Sequence, residues 1–232
     1  VCTVCIQIVR TMTPLEIAPR LLSEFITRPI PRPSTSLAAT WRDLDASARL
    51  AVFERALDSL WLAYQPIVAL SAVGETGAPL TIGYEALARN HEALVPEAHD
   101  LLALAVSCGR VRQLGEVVHL RVAESLAAHP DTTFFVNVDV EELCGPSTLR
   151  EGPLAAFRSR VVLEVTERAP VSDKPEVRAG LGELREEGFR FAMDDLGGGY
   201  SGLSMLPVMA PEYIKVDQTL VRGIHGDPVK KK

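Results

Sequence analysis

Phe191-Ala192-Met193-Asp194-Asp195-Leu196-Gly197-Gly198-Gly199-Tyr200-Ser201-Gly202-Leu203 is a short apolar run that meets two adjacent acids and then a glycine-rich turn. Strand side chains alternate between faces, so neighbouring aspartates converge only where a strand ends. Three consecutive glycines supply the backbone freedom that such a turn requires. Two carboxylates buried together repel, and one takes up a proton unless a cation holds both. Asp-Gly-rich segments are commonly solvated turns. The apolar lead-in, and further acids at other strand ends, favour a metal site instead.

Outward from this segment the chain alternates. Residues 61–68 and 81–89 read as strands, joined by a hairpin-like connection through Ser71 to Pro79 rather than by a helical crossover. Leu50, Phe53, Leu57 and Leu60 recur at helical spacing before them. Helices are expected over 96–108, 111–128 and 175–187, and strands over 133–139, 160–167 and 212–217. Strands alternating with helices predict an α/β fold with a mainly parallel sheet. Glu85, Asn137, Glu164, Asp194, Asp195 and Lys215 each fall late in an apolar strand. In open α/β sheets and barrels, chemistry gathers at the carboxyl ends of parallel strands.

Composition sets wider bounds. With 232 residues, 47% of them hydrophobic, the chain buries a core for one large or two small domains. A formal net charge of -6 argues against binding nucleic-acid polymers, which needs a basic face. The 4 cysteines (Cys2, Cys5, Cys108 and Cys144) form no dense disulfide framework, which points to a reducing compartment such as the cytoplasm. No stretch approaches the roughly 18 apolar residues of a membrane span. Cys2 and Cys5 form a C-x-x-C pair, but no second pair follows at zinc spacing. Residues 1–9 therefore read as a clipped strand or the remnant of an upstream domain. The proline- and serine-rich stretch 28–36 reads as a linker. Opening on Val1 and stopping at Lys232, the chain reads as a fragment, with an extension over 1–42 and the main domain over 43–232.

Carboxylates with an amide oxygen are hard ligands suited to Mg²⁺ or Mn²⁺ rather than zinc. Two such ions roughly 3.5–4 Å apart activate a water and stabilise a phosphodiester during in-line attack. Lys215 would position that water or neutralise charge developing on phosphate. The competing roles are ordinary ones: Lys215 paired with Asp217, Asn137 capping a turn, Glu164 or Glu167 holding Arg168, and Arg89 in a surface salt bridge. Arg89 lies four residues after Glu85, near the rim, where its fork would meet a phosphate. The 5 histidines are scattered, and the glycine turn lacks the Gly-Lys-Ser/Thr of a P-loop.

With these residues placed, the sequence resembles an EAL domain, the bacterial family that hydrolyses cyclic di-GMP to linear pGpG. Tyr84-Glu85-Ala86-Leu87-Ala88-Arg89 is similar to the name-giving signature with its downstream arginine. Phe135-Val136-Asn137-Val138 is similar to the asparagine strand, and Leu163-Glu164-Val165-Thr166-Glu167 to the E-x-T-E strand. Asp194-Asp195-Leu196-Gly197-Gly198-Gly199-Tyr200-Ser201 resembles the D-D-F-G-x-G-Y-S segment, and Ile214-Lys215-Val216-Asp217 the lysine strand. The resemblance runs from about Tyr64 to Ile224.

It implies a TIM-like (β/α) barrel with an irregular first strand, preceded here by a helical N-terminal extension. It implies Glu85, Asn137, Glu164 and Asp194 on a first Mg²⁺ or Mn²⁺, with Asp194 and Asp195 sharing a second. Lys215 would contact the hydrolytic water, with Glu85 and Asp195 in the catalytic set. Arg89 and Gln65 would contact cyclic di-GMP, and Glu167 would brace the loop after Asp195 that organises metals and a homodimer. Leu196, Gly198 and Gly202 replace the commoner Phe, Thr or Ala, and Ser. A later metal-binding glutamate and a Q-G-Y-like segment are absent after Lys215, and two more βα units of about 30 residues each do not fit there. About six of eight strands are therefore expected, with open sheet edges that expose core and a second metal site that is incomplete. The alternative reading is an inactive EAL module that binds cyclic di-GMP or a protein partner.

Overall fold

The computed structural model describes residues 3–7, 40–73, 79–143, 148–166, 175–196 and 202–216. The linker expected over 28–36 and the glycine turn 197–199 lie outside these residues, as do Cys2, Cys144, Glu167, Arg168 and Asp217.

Six strands form a curled sheet in chain order: β2 (Trp61–Val73), β3 (Pro79–Arg89), β4 (Phe134–Asn137), β5 (Val161–Thr166), β6 (Arg190–Leu196) and β7 (Tyr213–Val216). The β2–β3 pair is antiparallel and every later pair in that run is parallel. The hairpin expected between the first two strands is therefore present. A further strand, β1 (Thr3–Gln7), comes from the N-terminal extension. It runs antiparallel to β2 and parallel to β7, and closes the barrel.

This corrects the expectation of open edges. The unpaired N–H and C=O groups along β2 and β7 find partners in five residues distant in sequence, because an exposed edge offers a ready template for any extended segment. Of the extension expected to be helical over 1–42, residues 8–39 lie outside the described residues. The described parts of the extension are this strand and the residues from 40 onward, where Trp41–Asp43 forms a short 3₁₀ helix.

Helices α1 (Ala46–Asp58), α2 (Ala98–Cys108), α3 (Val111–Ala128), α5 (Pro175–Glu186) and α6 (Gly202–Met209) connect the strands, and α4 (Thr148–Glu151) is a single turn. Local chemistry sets their ends. The Asp45 carboxylate accepts from the Ala48 N–H at 2.8 Å and caps α1. Gly109 ends α2 in the left-handed region with φ 64.

The strand period of two divides the core. Phe134, Val136, Leu163, Phe191 and Met193 face outward and pack under the helices with Phe53, Leu104 and Leu126. Ile67, Phe135, Val162 and Ala192 form a separate inner plug, with Ile82 and Tyr213 against it. Gly83 makes room for that plug: a Cβ there would stand 2.9 Å from the Phe135 ring and 2.7 Å from the Thr133 carbonyl oxygen. Barrel interiors are filled by such layers of inward side chains. Two residues beyond Phe135, Val162, Ala192 and Tyr213 come Asn137, Glu164, Asp194 and Lys215. Strand parity thus sets the polar residues on the inward side, one pleat above the plug.

Candidate metal centre

Register brings the rim together. Gln65 lies opposite Glu85 across β2–β3, Asn137 opposite Glu164 across β4–β5, and Asp194 opposite Thr166 across β5–β6. Glu85 is 3% exposed, Glu164 0% and Lys215 2%. One oxygen from each of Glu85, Glu164 and Asp194 lies within 4.8 Å of the others, a spacing at which a single cation would contact all three.

Lys215 closes the cluster. Its Nζ is 2.8 Å from Glu85 Oε2, 2.7 Å from Glu164 Oε1 and 2.9 Å from Asp194 Oδ1. The Asn137 amide donates to Glu85 Oε1 at 2.8 Å and to Glu164 Oε2 at 3.4 Å. Lys215 and Asn137 thus both contact carboxylates of the rim. Glu164 Oε1 is buried and, although close to the ammonium, receives no well-directed hydrogen bond.

Burial pushes the Glu164 carboxyl well above the usual range, as does the charge on Glu85, against the pull of Lys215. Burial alone would lower the Lys215 ammonium, but Glu164, Glu85 and Asp194 outweigh it and hold the proton firmly. The site concentrates negative charge that one internal cation only partly offsets. Hard, anionic and partly orphaned oxygens are the donor set that a Mg²⁺-like ion fits.

Asp195 follows at the strand end with φ 57, beside a register irregularity between β6 and β7. A local departure from extended backbone at Asp195 is what adjacent acids need, because a regular strand sends them to opposite faces. Arg89 is half-buried, and its Nη1 donates to the Ala88 carbonyl at 2.8 Å. Burial lowers its pKa, opposed by Glu97 and Glu85.

Arg89, Asn137 and Thr166 share the wall of a cleft of about 650 Å³ with Leu101, Leu114 and Glu142. Sequence reasoning did not find this cleft, since its walls come from β3, α2, α3 and the short 3₁₀ helix Val140–Leu143. Nor did it find the buried pair His119 and Glu142, whose Nε2 and Oε2 are 3.5 Å apart. The available signal was helical spacing: His119 shares the buried stripe of α3 with Val122, Ala123 and Leu126.

A profile of the EAL domain matches residues 49–232. The chain belongs to the EAL domain family. It is 46% identical over 68 residues to an Escherichia coli K12 protein named probable cyclic di-GMP phosphodiesterase PdeG, covering 29% of this chain and 13% of that protein. It is 34% identical over 171 residues to an uncharacterized signaling protein of Caulobacter vibrioides, covering 70% of this chain and 20% of the relative. The matched region therefore spans a fifth or less of the length of these two relatives.

Among solved structures, a phosphodiesterase named PaMucR in complex with c-di-GMP aligns with TM-score 0.62 and 26% identity, over 79% of this chain and 77% of that one. A Klebsiella pneumoniae manganese and cy-diGMP complex of BlrP1 aligns with TM-score 0.61 and 26% identity, over 75% and 44%. The FimX EAL domain of Xanthomonas citri shares the fold at TM-score 0.65 and 18% identity, over 80% and 75%. Among the described residues, no helix is long and apolar enough to cross a membrane.

Proposed function

We propose that this EAL domain hydrolyses cyclic di-GMP to linear pGpG with the help of Mg²⁺ or Mn²⁺. The observation that carries the reading is the convergence of Glu85, Glu164 and Asp194 on one buried point. Family membership and the relative named as a cyclic di-GMP phosphodiesterase support the substrate. The manganese complex of a similar fold supports the metal class.

In this reading Glu85, Asn137, Glu164 and Asp194 hold the first ion, and Asp194 with Asp195 reach toward a second. The ions, when bound, lower the pKa of a water and offset charge on the phosphodiester. Lys215 holds a proton at Nζ beside the reacting phosphate and stabilises negative charge that grows there. Arg89 supplies a bidentate fork to a phosphate at the cleft mouth, Gln65 a polar contact beside Glu85, and Glu167 braces the following loop. The largely apolar lining of the cleft suits part of a nucleotide. The working unit is the EAL domain over residues 43–232 with β1 closing its barrel, in the cytoplasm, with homodimerisation through that loop.

The test is turnover of cyclic di-GMP by the 232-residue chain with Mn²⁺ or Mg²⁺, followed as pGpG formation. Glu85→Ala is expected to abolish it. Turnover undiminished in that variant would sink the assignment.

A further inference from the structure

We propose that Lys215 is an internal cation which holds the carboxylate rim together in the metal-free protein and is exchanged out when a divalent ion enters. The proposal rests on the metal-binding part of the function proposed above and adds a role for the lysine before any substrate arrives.

The geometry is one of mutual exclusion. The oxygens nearest Nζ belong to Glu85, Glu164 and Asp194, the same three residues whose oxygens cluster within 4.8 Å. Nζ sits 2.7–2.9 Å from all of them. A Mg²⁺-sized ion sits about 2.0–2.1 Å from its oxygens. Such an ion contacting this trio would stand where the ammonium now stands, or within contact distance of it. Two cations at that separation in a site 0–4% exposed at Glu85, Glu164 and Lys215 repel strongly, with little water to screen them. One must leave.

The metal-free arrangement is itself physically sensible. Acids buried in one place cannot remain ionised together without a countercharge. A single ammonium reaches all three, and its bond to Glu85 is well aligned while its approach to Glu164 Oε1 is not. A divalent ion with no directional hydrogen atoms satisfies the trio better than a lysine does. Lys215 also belongs to a four-residue strand, Tyr213–Val216, and carries a flexible four-carbon stem. Its head can therefore leave the rim without disturbing the strand register. An arginine could not do this as well, because its planar fork would lock two carboxylates at once.

Two measurements test the exchange. In the first, Mn²⁺ binding to wild type and Lys215→Met is measured by electron paramagnetic resonance, and thermal unfolding is followed with and without Mn²⁺. Removing the competitor is expected to tighten Mn²⁺ binding by about tenfold, a usual size for two ligands coupled at one site. The metal-free variant is expected to unfold at lower temperature than wild type, and Mn²⁺ to raise its Tm by more than it raises that of wild type. Equal or weaker Mn²⁺ binding in the variant overturns the proposal.

The second uses the wild-type chain with ¹⁵N-labelled lysine, the Lys215 ammonium signal being the one missing from Lys215→Met. That signal is expected to be protected from solvent exchange without metal, and to shift or vanish as Mg²⁺ saturates the site. A signal unmoved by saturating Mg²⁺ overturns the exchange, even where the variant binds Mn²⁺ more tightly, since tighter binding then reflects lost repulsion alone. Should Lys215→Met fold only with metal, the wild-type titration decides. A wild-type chain that binds no Mn²⁺ at all would instead overturn the proposed function.

Discussion

His119 Nε2 lies 3.5 Å from Glu142 Oε2, with the imidazole 1% exposed and the carboxyl 12% exposed. Burial pushes Glu142 up to about 7, aided by Asp139 and Glu116 and opposed by a backbone hydrogen bond at Asp139, and it pulls His119 down to about 4, with Glu116 opposing. The folded pair therefore prefers a neutral acid beside a neutral imidazole. A carboxyl raised in the folded state loses stability as pH climbs from about 4.5 to about 7. An imidazole lowered in the folded state loses it as pH falls from about 6.5 to about 4.

These slopes oppose each other, so the pair binds one proton in either state between about pH 4.5 and 6.5 and contributes little slope there. Each half should appear when the other is removed. His119→Phe is expected to become less stable as pH rises through this window, and Glu142→Gln less stable as it falls. Each slope approaches about 1.4 kcal/mol per pH unit, the value for one proton. Denaturant unfolding across this range checks both signs, and parallel curves for the two variants would refute the pairing.

Gly83 is a position where space rather than backbone freedom is decisive. An added Cβ meets the Thr133 carbonyl at 2.7 Å and the Phe135 ring at 2.9 Å, and the carbonyl cannot move away because it accepts from the Tyr84 N–H at 3.0 Å. Gly83→Ala should therefore destabilise the fold by about 1–3 kcal/mol, as other overpacking changes do. The strain enters β3 two residues before Glu85, so Mn²⁺ affinity should fall with it. Unchanged unfolding would mean that the inner plug is looser than its contacts imply.

Much of the rim was legible because it obeys period two. Glu85, Asn137, Glu164, Asp194 and Lys215 sit at the ends of apolar strands, where alternation and sheet direction leave one place for them to meet. The three carboxylates around Lys215 were less legible, because contact across the barrel depends on which strands become neighbours. β4 ends at Asn137 rather than Asp139, because the chain turns there into a 3₁₀ helix whose Glu142 accepts from the Asp139 N–H at 3.0 Å. The 3₁₀ segment Pro153–Arg160 and α6, with Pro207 inside it, carry no clear helical period. β1 was the least legible element in its role. Its apolar character reads as a strand, but its two partners lie some sixty and two hundred residues away, at Ile67–Ala69 and Tyr213–Lys215.

Closure by β1 carries its own consequence. Val4 faces Ile214 and Cys5 faces Lys215 in register, while Ile6 faces Val68 on the other side. Proline at positions 4 and 6 removes two backbone donors from a strand flanked on both edges. The double variant Val4→Pro and Ile6→Pro should speed amide hydrogen exchange at Ile214 and Lys215 and along β2 near Ile67. The β4–β5 pair, remote from the seam, should keep its protection. Exchange that stays unchanged at Ile214 and Lys215 would show that β7 holds its place without β1.

Asp195 combines a proposed metal role with a conformation most side chains avoid. At φ 57 it lies in the left-handed region, which asparagine and aspartate enter more readily than other non-glycine residues. Asp195→Asn keeps that tolerance and removes the negative charge. Asp195→Val removes the charge and adds a β-branched clash costing about 1–2 kcal/mol. The two variants therefore separate backbone from chemistry. Asp195→Asn should unfold at the wild-type temperature, retain Mn²⁺ at Glu85, Glu164 and Asp194, and lose most cyclic di-GMP turnover. Asp195→Val should lose turnover and also unfold several degrees earlier. Full turnover in Asp195→Asn would remove this residue from the catalytic set and leave its left-handed backbone as a feature of the turn alone.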